Sequence, residues 1–354
     1  MIYYVSTNAN GNGTSENSPL SLTDLKNITL RDDDVVLFKR GDVFYETVEY
    51  TKTKDAKILF DAYGTDIEPP TFSYCRIVNN SNYWTLDSEN IYKIDLKDNT
   101  KHTGTKNTTD ANNVAFIVDN SNKNTLYCNR KETKLELENN FDFYCDDDFV
   151  YVYCNTNPNY IIENICFVCA SNSSLFKLES NTILQNIRFE YLGGHAVVGY
   201  NSPENVVIQN NEFNFIGGGI LTNHSYYRRY GNAIEFLSYA KNLIVRNNKI
   251  SNCYDAGFTV QGIDGYWENV SVCNNIFKNN SQSFEVWSKK GSSSNGDNLG
   301  FKNVKFYNNL CIGQGRGWGN VRPDKDKVAD IEIQNLELKY NDISIKNNIF
   351  YNPI

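Results

Sequence analysis

The 354-residue sequence has little of what marks membrane proteins, helical proteins and nucleic-acid-binding proteins. It contains one Met and seven Pro, and no apolar run approaches the roughly 18 residues that a membrane-spanning helix needs. Its net charge is -8 at pH 7, whereas proteins that bind nucleic acids carry a basic surface. We therefore expect neither a membrane span nor a nucleic-acid partner.

The cysteines of the sequence do not have the spacing of a disulfide framework or of a zinc site. The nine Cys are odd in number and irregularly spaced, and a single Cys166-x-x-Cys169 motif has no second pair of ligands to complete a zinc site. Small buried thiols are the expected role of these residues. The sequence predicts no metal and no cofactor.

The abundant residues are those of turns and strands. The chain has 53 Asn, 24 Tyr, 20 Phe and 22 Gly, while residues with a high helix propensity are scarce. This composition indicates an all-β protein with many turns.

A strand-like segment that ends in Asn recurs through the C-terminal part of the chain. The first Asn of each segment follows the previous one after 22, 24, 37, 27, 34 and 39 residues. A base period of 22 to 24 residues with insertions is typical of a solenoid. The segments are Ile161–Ile165, Ile183–Ile187, Val207–Asn211, Ile244–Asn248, Ser271–Asn275, Lys305–Asn309 and Ser344–Asn348.

Each repeat has room for three short strands and none for a helix, which predicts a right-handed parallel β-helix. The recurring Asn has a physical role in such a fold. Stacked at the roughly 4.8 Å spacing of neighbouring strands, its side-chain amides can hydrogen-bond from coil to coil.

The chain divides into three predicted parts. Residues 1–82 form an N-terminal cap and the first coils, with a short helix from Leu22 to Asn27 and a strand from Asp34. Residues 83–155 lack the period and contain alternating segments such as Val114–Val118, which predicts an inserted β meander. Residues 156–354 form the main β-helix.

Several of these segments resemble the pectate-lyase-like superfamily of carbohydrate-active β-helix proteins. The resemblance rests on Tyr3-Tyr4-Val5-Ser6, on the stretch from Val36 to Asp42 and on the Asn-ended coils. It implies that a polysaccharide lies along one stacked sheet, with catalytic residues on that sheet and its adjoining turns. No signal peptide precedes Ile2, so either such a peptide has been removed or the protein is not secreted by that route. We expect an extracellular or cell-surface location with any signal peptide removed.

Three strands can be stacked by their pattern: Ala233–Leu237, Gly257–Gln261 and Ser283–Trp287. Period-2 alternation buries their apolar residues and turns the intervening residues outward. Asp255 precedes the second strand in a turn, and His195 falls level with Asn232 on the coil before. The side chains predicted to point outward are Glu235, Thr259, Gln261, Glu285 and Trp287.

Paired carboxyl groups on such a face suit glycoside hydrolysis. One carboxyl group must stay protonated for the leaving oxygen, and a second must be ionised to activate water or attack the sugar. Glu285 and Asp255 are the predicted catalytic pair, with Glu235 as the substitute for either. Glu235 and Glu285 are two coils apart, or roughly 10 Å, which leaning side chains could shorten to the separation found in inverting enzymes.

Three insertions, at 217–231, 289–300 and 313–326, form loops beside these strands. Binding residues concentrate in loops held by a rigid scaffold. Trp287 is a candidate for stacking on a sugar ring. His102, in a polar loop elsewhere, is expected to be exposed. The predicted substrate-binding residues are His195, His224, Arg228, Arg229, Tyr230, Gln261, Trp287, Trp318 and Arg322.

Three functions remain open. The preferred one is a glycoside hydrolase acting on an oligo- or polysaccharide, with neutral glycans favoured by the acidic chain. The second is a polysaccharide lyase or uronate epimerase, whose cationic clamp would use Lys289, Lys290, Arg316, Arg322 and His195, with Ca²⁺ held by Glu235 and Glu285. The third is a non-catalytic glycan-binding or tailspike-like protein, which would be a trimer rather than a monomer.

Overall fold

The computed structural model describes residues 1–106, 111–121, 125–170, 174–221, 228–292, 299–315, 317–321 and 329–352. Its regular elements are mostly strands, and the longest run of pairings is parallel, strand on strand along the chain. The predicted parallel β-helix is thereby confirmed.

The largest sheet joins thirteen of the described strands. Two of them are long because they pass through two faces of the solenoid, and a register shift between Leu237 and Tyr239 marks the bend. The strands are Ile2–Val5, Asp34–Lys39, Ile58–Tyr63, Phe176–Leu178, Thr182–Gln185, Val197–Gly199, Glu204–Gln209, Ile234–Arg246, Ala256–Cys273, Gln282–Lys289, Gly300–Tyr307, Ile331–Leu336 and Tyr340–Lys346.

Another parallel sheet closes the coils. One full coil thus uses Gln282–Lys289, Gly300–Tyr307 and Leu310–Ile312, which confirms three strands per repeat. Stacked aromatic rings such as Phe258, Phe284 and Phe306 fill the interior. The described strands of the closing sheet are Val43–Phe44, Thr71–Phe72, Arg188–Leu192, Glu212–Ile216, Lys249–Cys253, Ile276–Lys278, Leu310–Ile312 and Ile349–Tyr351.

The Asn of the repeat stacks as expected, but the stacking residue is the second Asn of each pair rather than the first. The first Asn takes the left-handed backbone conformation, with φ of 57° at Asn247 and 56° at Asn274. The second is buried and forms a ladder, in which both the backbone N–H and the Nδ2 of Asn248 donate to Oδ1 of Asn275 at 3.0 Å. The buried ladder runs through Asn211, Asn248, Asn275 and Asn309 and ends at the half-buried Asn348.

A second Asn ladder lies on the surface, one turn earlier in each coil. Here the stacked residues themselves have positive φ, and each Nδ2 donates to Oδ1 of its neighbour at 2.8 to 3.0 Å. The exposed ladder runs through Asn181, Asn205, Asn242, Asn269 and Asn303.

The solenoid is interrupted by an antiparallel region. Ile58–Tyr63 pairs directly with Thr182–Gln185, so the chain leaves one coil and returns to the next. The first predicted repeat, at 161–165, is wrong, because it falls between the helix Pro158–Ile161 and an antiparallel strand. The antiparallel strands are Cys75–Val78, Thr85–Ser88, Ile91–Ile94, Thr103–Gly104, Val114–Asp119, Leu126–Tyr127, Phe143–Cys145, Val150–Tyr153 and Ile165–Cys169. The division at residues 83 and 155 stays a prediction.

The predicted N-terminal helix is present as Leu22–Leu25. Ser21 and Asp24 form a capping box, and Leu22 and Leu25 are buried. Short 3₁₀ helices cover Ser81–Tyr83, Lys134–Glu136 and Trp318–Val321. Two small sheets pair Thr29–Leu30 with Thr51–Lys52 and Gly219–Ile220 with Arg229–Tyr230.

His102 differs from its prediction, because it is buried rather than exposed. Its ring nitrogens lie 3.1 and 3.2 Å from the carbonyl oxygens of Leu96 and Thr103. Burial lowers the pKa of His102 to about 4. The ring therefore serves as a neutral hydrogen-bonding group of the inserted region.

Candidate functional site

The parallel register places one residue from each of four successive strands in a single column. Glu235 pairs with Thr259, Thr259 with Glu285, and Glu285 with Glu332. Their neighbours along the strands, such as Ile234 and Phe258, belong to the solenoid core, so alternation directs the column to the opposite face. We refer to Glu235, Thr259, Glu285 and Glu332 as the carboxylate column.

Three of the four residues of the carboxylate column are shielded from solvent, and the fourth, Glu332, is half-buried. The predicted outward positions of Glu235 and Glu285 are only 6% and 5% exposed, and Thr259 is fully buried. Within the described part of the chain, the Thr259 hydroxyl has no hydrogen-bond partner. Buried polar groups of a folded protein are normally paired, so this site has hydrogen-bonding capacity to spare.

Glu235 is held on several sides. Its Oε2 lies 2.8 Å from Nδ1 of His195 and accepts a hydrogen bond of 2.8 Å from Nδ2 of Asn232. Gln261 donates a further side-chain hydrogen bond to the carboxylate. Asn232 is itself fixed, because its Oδ1 accepts the backbone N–H of Ala256 at 2.9 Å.

Two groups compete for Nδ1 of His195. The backbone N–H of Asn232 points at it from 3.1 Å, while the Glu235 carboxylate lies at 2.8 Å. A nitrogen that donates to a carboxylate cannot also accept, and the buried Glu235 anion needs the donor more. We therefore assign the proton to Nδ1, which leaves Nε2 directed away from Glu235.

The charges of the site shift both partners toward their ionised forms. Burial acts to lower the pKa of His195, but the charge and hydrogen bond of Glu235 outweigh it, with help from Asp255 and Glu285, so this pKa is raised. Burial acts to raise the pKa of Glu235, but His195, Asn232 and Gln261 together lower it. His195 and Glu235 thus form an ion pair at the edge of the carboxylate column.

Aromatic and amide side chains border the column. Trp287 and Gln261 stand in register on neighbouring strands, and the Trp287 indole N–H donates to the Gln261 side-chain oxygen. The Tyr230 ring centre lies 5.0 Å from that of His195. Asp255 is half-buried in the turn before Ala256, where its charge acts on His195. The structure thus brings together seven of the predicted site residues, which are Glu235, Glu285, Asp255, His195, Tyr230, Gln261 and Trp287.

Arg229 and Trp318 contact backbone carbonyl oxygens and aromatic rings. Arg229 is 4% exposed and donates to the carbonyl oxygens of Gly218 at 2.7 Å and Ala115 at 3.1 Å. Trp318 packs with its ring centre 4.8 Å from that of Phe116 and donates to a backbone oxygen at 2.9 Å. Their roles in binding stay predictions, as does that of the exposed Arg228; His224, Arg316 and Arg322 lie outside the described residues.

The sequence analysis missed Glu332. Asp330-Ile331-Glu332-Ile333 repeats the alternation of Ser283-Phe284-Glu285-Val286, so carrying the pattern one coil further would have found it. Asn232 and Gln282 were also missed, and no pattern marks them. Among the residues that the structure describes, no group of three or more His, Cys, Asp and Glu is arranged to hold a metal ion.

No helix in the described ranges is long and apolar enough to span a membrane. No family model matches the sequence, and no curated protein matches it.

Chains with a similar fold are found among solved structures. XylC in complex with xylose is 14% identical, with 88% of this chain and 69% of that chain covered and a TM-score of 0.43. A glycoside hydrolase is 10% identical, with coverage of 94% and 85% and a TM-score of 0.48. The GH136 lacto-N-biosidase from Eubacterium ramulus is 11% identical, with coverage of 98% and 68% and a TM-score of 0.37. These likenesses concern the fold and assign no activity.

Proposed function

We propose that this protein is a carbohydrate-active enzyme, and specifically a glycoside hydrolase that cleaves an oligo- or polysaccharide. The observation that carries the proposal is the carboxylate column, in which the buried Glu235 and Glu285 and the half-buried Glu332 stand in register along one face of a β-helix. Such a face can position carboxyl groups on both sides of a glycosidic bond. The sequence resemblance to carbohydrate-active β-helix proteins supports the same class.

Glu285 is the proposed proton donor to the leaving oxygen. It stands between Thr259 and Glu332 in the carboxylate column and is nearly excluded from water. Glu235 suits a positioning role instead, because His195, Asn232 and Gln261 already hold its carboxylate. Trp287 offers a flat apolar surface to a sugar ring, and Gln261 beside it offers an amide for hydroxyl groups.

The charges of the site favour hydrolysis over uronate chemistry. A lyase or epimerase needs a neutral base and a cationic clamp for the substrate carboxylate. The Glu235 ion pair raises the pKa of His195, which makes this ring a poorer base near neutral pH. Several acids of the face would also repel a uronate, so a neutral glycan is the proposed substrate.

The test is a panel of neutral polysaccharides, such as xylan, mannan, galactan and β-glucan, beside pectate and alginate. Reducing ends are measured together with the ultraviolet absorbance of unsaturated products. We expect reducing ends without absorbance from a neutral glycan, and loss of turnover with binding retained in Glu285→Gln. Glu163→Gln, which removes an exposed charge from the antiparallel region, is the matched control.

Absorbance rising with reducing ends would instead establish a lyase. Binding without turnover by the wild-type protein would establish a glycan-binding protein. Full turnover by Glu285→Gln would remove Glu285 from the reaction.

A further inference from the structure

Glu332 stands beside Glu285 in a geometry that bears on the stereochemistry of the reaction. The two residues pair directly on neighbouring parallel strands. In-register residues of such strands are about 4.8 Å apart, close to the roughly 5–5.5 Å between the carboxyl groups of retaining glycosidases. Glu235 is two strands from Glu285, or about 10 Å, beyond the usual range even of inverting enzymes.

Asp255 is a less suitable partner for Glu285 by the same measure. Ala256 pairs with Gln282, so Asp255 is level with Ser281, four positions from Glu285 along the strand. At roughly 3.3 Å per residue, this offset adds about 13 Å between the backbones. Asp255 lies closer to the turn at His195, where its charge acts on the ring.

The hydrogen bonds of Glu332 suit an anion that attacks carbon. The Gln282 side-chain amide donates to its Oε2, and Nε2 of Gln334 donates to its Oε1 at 2.7 Å. Each carboxylate oxygen thereby accepts a hydrogen bond from a side-chain amide, and the two bonds orient the carboxylate. Gln282 is fully buried, so the first of these donors is rigid.

The same glutamine carries an unused acceptor at this position. Gln282 Oε1 is buried and has no hydrogen-bond partner within the described residues, although Nε2 of the same amide is bonded to Glu332. With the unpartnered hydroxyl of Thr259 on the other side of Glu285, two buried polar atoms flank the acid pair. Hydroxyl groups of a sugar would satisfy both.

We infer that Glu332 is the nucleophile and Glu285 the acid/base of a retaining glycosidase, an inference that rests on the proposed function. The Glu332 carboxylate attacks the anomeric carbon as the bond to the leaving oxygen breaks, and Glu285 gives that oxygen its proton. Water, deprotonated by Glu285, then attacks the same carbon and expels the Glu332 carboxylate. The net reaction adds one water across the glycosidic bond.

The first experiment requires no variant. A panel of neutral 2,4-dinitrophenyl glycosides in both anomeric forms is screened, and the best substrate is followed by proton NMR before the product mutarotates. The expected first product has the anomeric configuration of the substrate. An inverted product would overturn the inference while leaving the hydrolase intact, whereas no cleavage of these glycosides or of the polysaccharide panel would overturn both.

Variants assign the two roles. Glu332→Gln and Glu332→Ala should lose about a thousandfold or more in turnover of the chosen glycoside. Azide added to Glu332→Ala should restore turnover and give a glycosyl azide of inverted configuration, whereas azide with Glu285→Ala should give the retained one. The 2-deoxy-2-fluoro analogue of the same sugar should label the peptide that contains Glu332. A Glu332→Gln protein that melts like the wild type and keeps its activity would refute the assignment, as would a label on Asp255.

Discussion

The buried Asn ladder and the carboxylate column are built by the same device, since each stacks one polar residue per coil, yet they differ in completeness. Along the buried ladder, Asn275 accepts from the coil before, donates to the coil after, and also donates to the carbonyl oxygen of Val245. In the carboxylate column, the fully buried Thr259 hydroxyl has no described partner. A stack whose polar groups are all hydrogen-bonded stabilises a solenoid. In a buried stack with unpaired polar groups, a ligand can supply the missing hydrogen bonds.

The largest effect should come from the column. Glu285→Gln preserves shape and removes only the ability to release and accept a proton, so turnover of a neutral glycan should fall more than about a hundredfold. The free energy of unfolding should change by less than about 1 kcal/mol. Steady-state kinetics with parallel urea unfolding checks both values. If Glu285→Gln lost stability and activity together, the column would not differ from the buried Asn ladder in serving activity rather than stability.

The buried ladder should show the opposite pattern. Asn275→Ala leaves the backbone N–H of Asn248 and the carbonyl oxygen of Val245 buried without their partners, so unfolding should become easier by about 2–4 kcal/mol. Turnover per folded molecule should stay unchanged. Urea unfolding with an activity assay well below the midpoint is the measurement, and a selective loss of turnover would show that the ladder also shapes the site.

The His195–Glu235 ion pair should have an effect of intermediate size, and its contribution to the free energy of unfolding should depend on pH. The raised pKa of His195 adds stability that is complete below its ordinary 6.5 and is lost as pH rises through the folded value. The lowered pKa of Glu235 adds stability that is complete above 4.5 and is lost as pH falls through its folded value. The stability advantage of the wild type over His195→Gln should therefore peak between about pH 4.5 and 6.5.

This advantage should reach about 2 kcal/mol, less than for a fully buried pair, because the His195 side chain is 23% exposed. Thermal unfolding at several pH values measures it. An advantage that does not change with pH would mean that packing of the ring, rather than its charge, is what the substitution removes.

The smallest effect is expected from substitutions in the exposed Asn ladder. Asn269 has a φ of 55°, so Asn269→Ala should cost about 1 kcal/mol through backbone strain. Asn269→Gly removes the same amide hydrogen bonds without the strain and should be nearly neutral. Chemical unfolding of the pair separates the two terms, and equal losses in both would show that the surface amides stabilise the coils after all.

Much of the fold could be predicted because short-range sequence patterns determine it. The Asn spacing and the alternating strands predicted three strands per coil, and Ser21 with Asp24 supports the helix found at Leu22–Leu25. The first predicted repeat was wrong because a short Asn-ended segment reads the same in a parallel or an antiparallel strand. Which Asn of a pair stacks depends on the backbone conformation of the other, and the sequence pattern does not contain that information.

The sequence predicted which acids share a face of the solenoid, but not how far these acids are buried. Alternation aligned Glu235 with Glu285, but it could not foresee that both would be buried, because the residues that cover a face come from distant parts of the chain. Glu332 follows the same pattern after a loop that hid its register. Arg229 was assigned to binding from its chemical type, whereas it donates to the carbonyl oxygen of Ala115, which is far away in the sequence. His102 was expected to be exposed because its loop is polar, whereas the loop folds back so that the ring contacts the nearby carbonyl oxygen of Leu96.

The direct pairing of Ile58–Tyr63 with Thr182–Gln185 has a consequence for how the chain folds. Joining these two strands closes a loop of more than a hundred residues, whereas the later coils join strands that are at most a few tens of residues apart. Loop closure entropy rises with length, and such distant contacts form slowly. We expect the coils after residue 182 to nucleate first and the coils before residue 63 to dock onto them last, although these earlier coils are synthesised first of the two.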